Sequence, residues 1–485
     1  MHQQVYHSHD IQAWEQRWFA QQNSSYGLMQ QVAWSITQQL IPLFKTKNIF
    51  KIAVCCGQGN NAGDGYLVAK YLKQFDFEVD VYCAELGASQ DLRLAYEEAK
   101  ASQINMIQGF HFIKDYDCVV DALFGIGLNR ELNENWQLII NEINEHQALK
   151  ISIDIPSGLN ANTGRIMPCA ILADYTYTVL ALKIGLFTGQ AKEYVGNVEV
   201  ISPIPTDSQL KPNASLTPQQ IRLKKRKAFG HKGSYGHVLV VGGHADMGGA
   251  AIMAAEAAFA SGSGKVTVAC DQRHHAAILA RSPNIMLKDI NYLSKADVSA
   301  LVESVDAICF GMGLGRDNWS KNIFDLWFEI LQNSNKHIVL DADALWFLAE
   351  NPININKYTY LTPHPGEAAK LLSLSTMDIE HNRFDAIEKL KQKYAGEWVL
   401  KGSGSLIFDK SIWICTAGNA GMATGGMGDV LAGMIASLKA QFQNEIQLHE
   451  IVTLHALAGD LLAEKGLRGL QAQDMSKAIY QIVNL

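Results

Sequence analysis

Short apolar runs bounded by glycine or polar residues recur along the chain, and stretches with helical spacing of apolar positions separate them. Residues 10–40 read as helical, with Trp14, Trp18, Leu28, Met29 and Val32 as core-facing positions. KIAVCCGQGNNAGDGYLVAKYL, residues 51–72, reads as a buried strand, a glycine loop and an amphipathic helix. DCVVDALFGIGLNR (117–130) and KISIDIPSGLNANTG (150–164) repeat the strand followed by a glycine turn, and ADYTYTVLALKIGLFTG and NVEVISPIP supply further strands. From His237 the alternation begins again with HVLVVGG, an alanine-rich helix, KVTVA, DAICFGMGLGR, HIVLDADAL, YTYLTPHPGEAAKLL and WVLKGSGSLIFD. This alternation predicts α/β architecture in two doubly wound domains. PIPTDSQLKPNASLTP, residues 203–218, has linker composition, so the expected division is 1–205, a linker at 206–222, and 223–485, with the proline-rich stretch joining neither sheet.

The length of 485 residues agrees with more than one core. With 48% apolar and 18% charged residues the composition is that of a globular enzyme, and no run of about eighteen apolar residues predicts a membrane span. The N-terminus, MHQQVYHSHD, lacks the basic and apolar regions of a signal peptide, so a cytoplasmic location is expected. Eight cysteines without a CxxC or Cys/His spacing read as buried thiols. A net charge of −7 argues against a nucleic-acid partner, and the basic patch Arg222, Lys224, Lys225, Arg226 and Lys227 reads as a solvated linker or helix end.

Three strands of the first half end in polar, glycine-rich loops. Ligands of an open parallel sheet bind beyond the carboxyl ends of its strands, so Asn60, Asn61, Asp121, Asp154 and Ser157 are expected in one cleft, with Lys183 and Gly185 closing over it. Gly57, Gly59 and Ala62 fit a dinucleotide fingerprint, but the amides Asn60 and Asn61 suit a hard cation or a polar ligand. In the second half, TAGNAGMATGGMGD (416–429) places five glycines and Asp429 before a buried helix. Backbone N–H groups and a helix N-terminus gather an anion there, and a carboxylate beside it serves better as proton acceptor than as phosphate ligand. That combination points to phosphoryl transfer onto a hydroxyl. SGSGK is no P-loop, because Lys265 is followed by Val266 and opens a strand. Asp341 and Asp343 suit a divalent cation or a helix cap, His364 sits in a stiff loop between two prolines, and Lys401 with Gly402, Ser403, Gly404 and Ser405 forms a basic turn suited to a nucleotide.

GNNAGDG, VDALFGIGLNR and IDIPSGLNANTG resemble the NAD(P)H-hydrate epimerase family. HKGSYG, MGGAA, FGMGLG, TPHPGE, KGSGS and TGGMGDVLAG resemble the ribokinase-like NAD(P)H-hydrate dehydratase family. The first resemblance implies a Rossmann-like domain holding potassium on Asn61, Asp121 and Ser157, and a hydrated dinucleotide against Asn60, Asn61, Ala62, Gly63, Asp64, then Gly125, Ile126, Gly127, Leu128, Asn129, Arg130, Glu131, and Asp154. Asp121 and Asp154 both stand as its acid/base candidates. The second implies Lys401 to Ser405 and Gly428 on an adenine nucleotide, Ala250, Gly313 or Gly315, His364 and Asp429 on the hydrated cofactor, and Asp429 as base. The fused order implies ADP, with Mg2+, as phosphoryl donor, in a repair enzyme that epimerises hydrated NADH or NADPH and dehydrates the S form. A homo-oligomer without nucleic-acid or membrane partners is expected. The alternative is a ribokinase-like sugar or vitamin kinase fused to a regulatory dinucleotide-binding domain.

Overall fold

The computed structural model describes residues 3–112 and 114–485. It divides the chain into two compact units, Gln3–Ser215 and Leu216–Leu485. Each is α/β and wound on both faces of a largely parallel sheet, as the alternation predicts.

In the first unit seven strands lie in the order Asn105–Gln108, Glu78–Cys83, Lys51–Cys56, Cys118–Ala122, Leu149–Ile153, Tyr175–Val179, Asn197–Ile201. All of these pairings are parallel. Successive side chains of a strand point to opposite faces, and the cores record it. Ile52, Val54 and Cys56 pack with the helices Ser25–Lys47 and Asn60–Gln74, whereas Ala53 and Cys55 join Ile140 and Ile143 of Glu134–Glu145 on the other side. The adjacent thiols Cys55 and Cys56 therefore lie in different cores, and none of the eight cysteines is joined in a disulfide. Strand order reverses direction between Lys51–Cys56 and Cys118–Ala122, which opens a crevice at their carboxyl ends.

The stretch read as helical over residues 10–40 is two helices, Ser8–Phe19 and Ser25–Lys47. The break is local chemistry: Gln22 takes a positive φ, and the Ser24 hydroxyl accepts the Gly27 N–H at 3.0 Å, starting the second helix. The proline-rich stretch also departs from expectation. Ala214–Leu216 is a strand whose Ala214 and Ser215 pair antiparallel with Val5 and Gln4. Around it Asp207 accepts from Arg17 at 2.5 Å and Asn213 accepts the His7 N–H at 2.9 Å. Proline excludes only its own N–H from a ladder, so the residues between prolines remain able to pair.

In the second unit Met286–Asp289, Lys265–Cys270, His237–Val241, Ala307–Phe310, His337–Leu340, Ile355–Leu361 and Ala395–Leu400 lie in that order, all parallel, with Leu406–Phe408 and Ile412–Ile414 added antiparallel. One face carries the alanine-rich helix Gly248–Ala260 crossed by Met427–Phe442. The composition has a geometric cause, since a Cβ on Gly433 would lie 2.1 Å from the Ala254 carbonyl oxygen. The two backbones touch there, leaving room for nothing larger than alanine or glycine. The opposite face packs Phe310, Phe324, Trp327 and Phe347 together. Among the described residues no helix is long and apolar enough to cross a membrane.

Residues 1–215 and 216–485, expressed separately, are expected to fold, since each has its own sheet and cores. A first piece cut at residue 205 loses the partners of Arg17 and His7 and the strand beside Val5. Two lost hydrogen bonds, one of them charge-assisted, cost about 2–4 kcal/mol, so its melting temperature should fall by about 4–15 °C against the 1–215 piece. Calorimetry of the two pieces measures the difference, and equal melting temperatures would show that residues 206–215 are dispensable.

Candidate active sites

The crevice of the first unit is a cavity of about 530 Å³. Asn60, Asn61 and Asp64 line it from the first loop and turn of helix, Gly125 to Arg130 from the second loop, and Asp154 from the third. Ile11, Gln12 and Glu15 of the helix Ser8–Phe19 and Lys183 complete the lining. Three expected contacts lie elsewhere. Ala62 is fully buried, Gly63 packs so closely on Met29 that a Cβ would lie 2.6 Å from the thioether, and Glu131 turns outward to Arg165 at 2.8 Å. Gly57 serves packing as well, since a Cβ there would meet the Leu123 carbonyl oxygen at 2.0 Å.

The two aspartates differ in their surroundings. Asp121 is 1% exposed and is turned to protein: Oδ1 accepts from the Leu123 N–H (3.1 Å) and the Ser157 hydroxyl (2.5 Å), and Oδ2 from the Ser152 hydroxyl and the Ser157 N–H (both 2.8 Å). Burial raises its pKa, and those hydrogen bonds oppose the rise. Asp154 faces the cavity with φ +70°, a left-handed conformation that an aspartate keeps only where neighbours hold it. Its Oδ1 accepts from the Lys183 ammonium at 2.5 Å and the Val179 N–H at 3.1 Å, and Oδ2 from the Ile126 N–H at 3.3 Å. Lys183 is itself buried and also donates to Thr178 Oγ1 (2.9 Å) and the Val179 carbonyl (2.6 Å). Burial, then the Asp154 charge, pushes Glu15 up to about 7 against the pull of Lys183. Burial, with Asp154 and Glu15 adding to it, raises Asp64 well above the carboxylate range.

In the second unit the glycine run ends at Gly426, whose φ of +93° is the left-handed turn that a side chain would resist, and the helix Met427–Phe442 starts directly after it. Asp429 is in the first turn. Lys401, past the strand Ala395–Leu400, donates to Asp341 Oδ1 at 2.8 Å and lies 3.8 Å from Glu367. A Cβ on Gly428 would sit 3.0 Å from the Lys401 nitrogen and 3.4 Å from Asp341 Oδ2, which places the helix start against this pair. Burial, then Asp341, pushes Asp429 up to about 7, with Lys401 opposing. Burial does the same to Glu367, again to about 7. Burial works against the Lys401 ammonium, but Asp341, Glu367 and Asp429 outweigh it and raise its pKa.

His364 caps its own helix, Pro365–Leu372. Its Nδ1 accepts the Gly366 and Glu367 N–H groups at 3.0 and 3.3 Å, while the Glu367 carboxylate accepts the His364 N–H at 2.8 Å. Burial and Lys401 lower its pKa; with Nδ1 accepting two N–H groups, the ring proton is on Nε2. Asp343 accepts from the Gly315 N–H (2.8 Å) and Arg316 (2.7 Å), and a Cβ on Gly313 would lie 3.3 Å from that of Ala250. Of the two acids after His337–Leu340, Asp341 thus faces Lys401 and Asp343 braces the Gly315 turn. Gly402, with φ +143°, leans on the guanidinium of buried Arg383, which donates to the Leu400 and Lys401 carbonyls at 3.1 Å each, while Ser403 is exposed and the Ser405 hydroxyl donates to Gly402 O at 3.0 Å. Sequence reasoning missed Glu15, Glu367, Arg316 and Arg383. Only Glu367 carried a signal, the cap residue followed three positions later by glutamate.

The NAD(P)H-hydrate dehydratase family matches residues 238–481, and the family described as YjeF-related protein N-terminus matches residues 25–185. A bifunctional NAD(P)H-hydrate repair enzyme of Coxiella burnetii is 38% identical over 452 residues, 90% of this chain and 90% of its own. That of Escherichia coli is 36% identical over 451 residues, 89% of this chain and 84% of its own. The crystal structure of an ADP/ATP-dependent NAD(P)H-hydrate dehydratase from Bacillus subtilis, co-crystallised with ATP/Mg2+, is similar at 26% identity over 54% of this chain and 93% of its own, with a TM-score of 0.48. With relatives of this identity matched along nearly their whole length, the chain belongs to the bifunctional NAD(P)H-hydrate repair enzymes.

Proposed function

We propose that the first unit interconverts the R and S forms of hydrated NADH and NADPH, and that the second dehydrates the S form with ADP as phosphoryl donor, giving AMP and phosphate. The observation that carries the reading is Asp429, a carboxyl pushed up to about 7 in the first turn of a helix, beside Lys401 and after a glycine run. The hydroxyl on C6 of the hydrated ring is a poor leaving group. Asp429 takes its proton as oxygen attacks the terminal phosphoryl of ADP, while the N–H groups around Gly428 and the Lys401 ammonium face the negative charge of the transferred group. Phosphate then leaves C6, C5 loses a proton, and the ring double bond returns. A magnesium ion bound with the diphosphate would offset the charge of the phosphoryl group. Asp341, which has Oδ2 turned toward Gly428, is the acid placed to meet it. The family membership and this geometry favour repair over the kinase alternative, which predicts a stable phosphorylated product.

In the first unit Asp154 is the acid/base candidate, since it faces the cavity and Asp121 does not. Asp121 suits the ion site. It is a buried carboxylate whose four hydrogen-bond partners are all neutral, and the Phe124 carbonyl behind it accepts from both Ser157 (3.3 Å) and Asn61 (3.0 Å). That set of hard oxygens around one negative charge fits potassium on Asn61, Asp121 and Ser157. The ion, when bound, supplies a fixed positive charge that holds the three loops together.

Mixing hydrated NADPH with the full chain and ADP should restore absorbance at the reduced-nicotinamide band, and no recovery with either adenine nucleotide would remove this reading. Asp429→Asn should lower the dehydration rate by about 10²–10⁴-fold and leave epimerisation unchanged. A base works in its ionised form, so the parental kcat/KM for dehydration should rise with pH through about 7, and the variant should lack that limb. Dehydration by Asp429→Asn at the parental rate would rule out the base. Stability gives an independent check. A carboxyl with a raised folded-state pKa holds its proton more tightly folded than unfolded, so its contribution declines from the unfolded carboxylate pKa up to about 7. Asp429→Asn should therefore melt no lower than the parent at pH 8, and a lower melting point there would contradict the burial argument. For the ion, crystals grown in rubidium should show an anomalous peak among Asn61, Asp121 and Ser157, and a flat map would refute the assignment.

A further inference from the structure

The cavity of the first unit holds more acid/base groups than one aspartate. Glu15 enters it from the helix Ser8–Phe19, one turn beyond Ile11, which also lines it. The helix is fixed in place. Ile11 and Trp14 are buried, the Ser8 N–H donates to Asn162 Oδ1 at 2.8 Å, and Asn162 Nδ2 donates back to the Ser8 hydroxyl at 3.0 Å. Asn162 belongs to the loop that follows Asp154, so Glu15 and Asp154 are held by one connected piece of structure. They reach the cavity from different elements.

The chemistry of inversion calls for two such groups. C6 of the hydrated ring is bonded to the ring nitrogen and to the hydroxyl, so the nitrogen lone pair expels the hydroxyl once that oxygen is protonated. The carbon–oxygen bond breaks, water leaves, and a carbon–nitrogen double bond forms. Water then adds to the opposite face, the carbon–oxygen bond is remade, the double-bond electrons return to nitrogen, and the added water gives up a proton. One proton is donated and one accepted in each inversion.

We propose that Glu15 is the second acid/base group of the epimerase cavity, protonating the departing C6 hydroxyl while Asp154, held by Lys183, takes the proton from the returning water. This rests on the epimerase reading above. After one inversion Glu15 is ionised and Asp154 protonated. The reverse inversion starts from that state, and exchange with solvent restores the first. Burial together with the Asp154 charge keeps a proton on Glu15 up to about 7, near working pH, where a general acid is most effective. Burial, with Asp154 and Glu15 adding to it, also raises Asp64, which enters the cavity from the helix Asn60–Gln74, not from the helix that carries Glu15. The charged groups facing Glu15 are the Asp154 and Asp64 carboxyls and the Lys183 ammonium, and Arg130 lines the same cavity.

The test uses the full chain, follows R and S epimers by chromatography without ADP, and compares the parent with Glu15→Gln and Glu15→Asp. Glu15→Gln should lower kcat for inversion by about 10²–10⁴-fold with little change in KM, and leave dehydration of the S form at the parental rate. The parental rate should fall as pH rises through about 7, because the donor must be protonated. That limb should vanish in Glu15→Gln and persist, at reduced rate, in Glu15→Asp. In 18O-water each inversion should place one 18O on C6. Inversion by Glu15→Gln at the parental rate, a limb that survives in it, a loss expressed only in KM, or inversion without label would each overturn the proposal while parental epimerisation stood. A parent that interconverts no epimers would instead overturn the epimerase reading itself.

Discussion

Both units solve the same electrostatic problem with one lysine. Asp154 and Asp341 lie just past the ends of parallel strands, where taking a lone carboxylate out of water is expensive, and each is met by a lysine largely enclosed by protein, Lys183 and Lys401. A single ammonium hydrogen-bonds one carboxylate at short range, and its pull on the other acids of the same site is outweighed by their burial. Burial first, and the neighbouring carboxylates after it, push Glu15 and Asp64 in the first unit and Glu367 and Asp429 in the second upward. In Glu15, Glu367 and Asp429 burial and the excess of acids over cations create carboxyls that exchange protons near neutral pH. His364 at the second site is committed as a helix cap.

Much of this architecture was legible because the signal is local. Alternating strands and helices gave both doubly wound units, and the glycine turns marked the edge where the first unit's cavity lies. What escaped was set by tertiary contact. Residues 203–218 have the composition of a linker, yet Ala214 and Ser215 find backbone partners in Gln4 and Val5, some two hundred residues away. No local pattern encodes that. The amide-rich loop at Asn60 and Asn61 sits where the reading put it, but Ala62 and Gly63 of the same motif face the core, because the helix begins at Asn60 and a turn of helix presents only some of its residues to a ligand.

The candidate sites show the same division. Asp121, Asp154 and Ser157 were readable as strand-end residues, but their difference was not, since it depends on which way each carboxylate turns: toward Ser152 and Ser157, or toward Lys183. Glu15 gave no sign in a helix read for its tryptophans. Arg383 is hidden for a similar reason. It supports the Lys401 turn from beneath, through two carbonyls, and contributes nothing that a motif would mark.

The contact between Gly433 and Ala254 reaches further than packing. Gly433 is four residues beyond Asp429, hence about one turn down the same face of the same helix, about 6 Å along the axis. A rigid helix transmits displacement along its length, so the depth at which Gly433 seats against the Ala254 carbonyl also fixes how far Asp429 projects toward Lys401. The reach of the carboxyl proposed as base thus depends on how small a residue stands at a buried helix crossing one turn away.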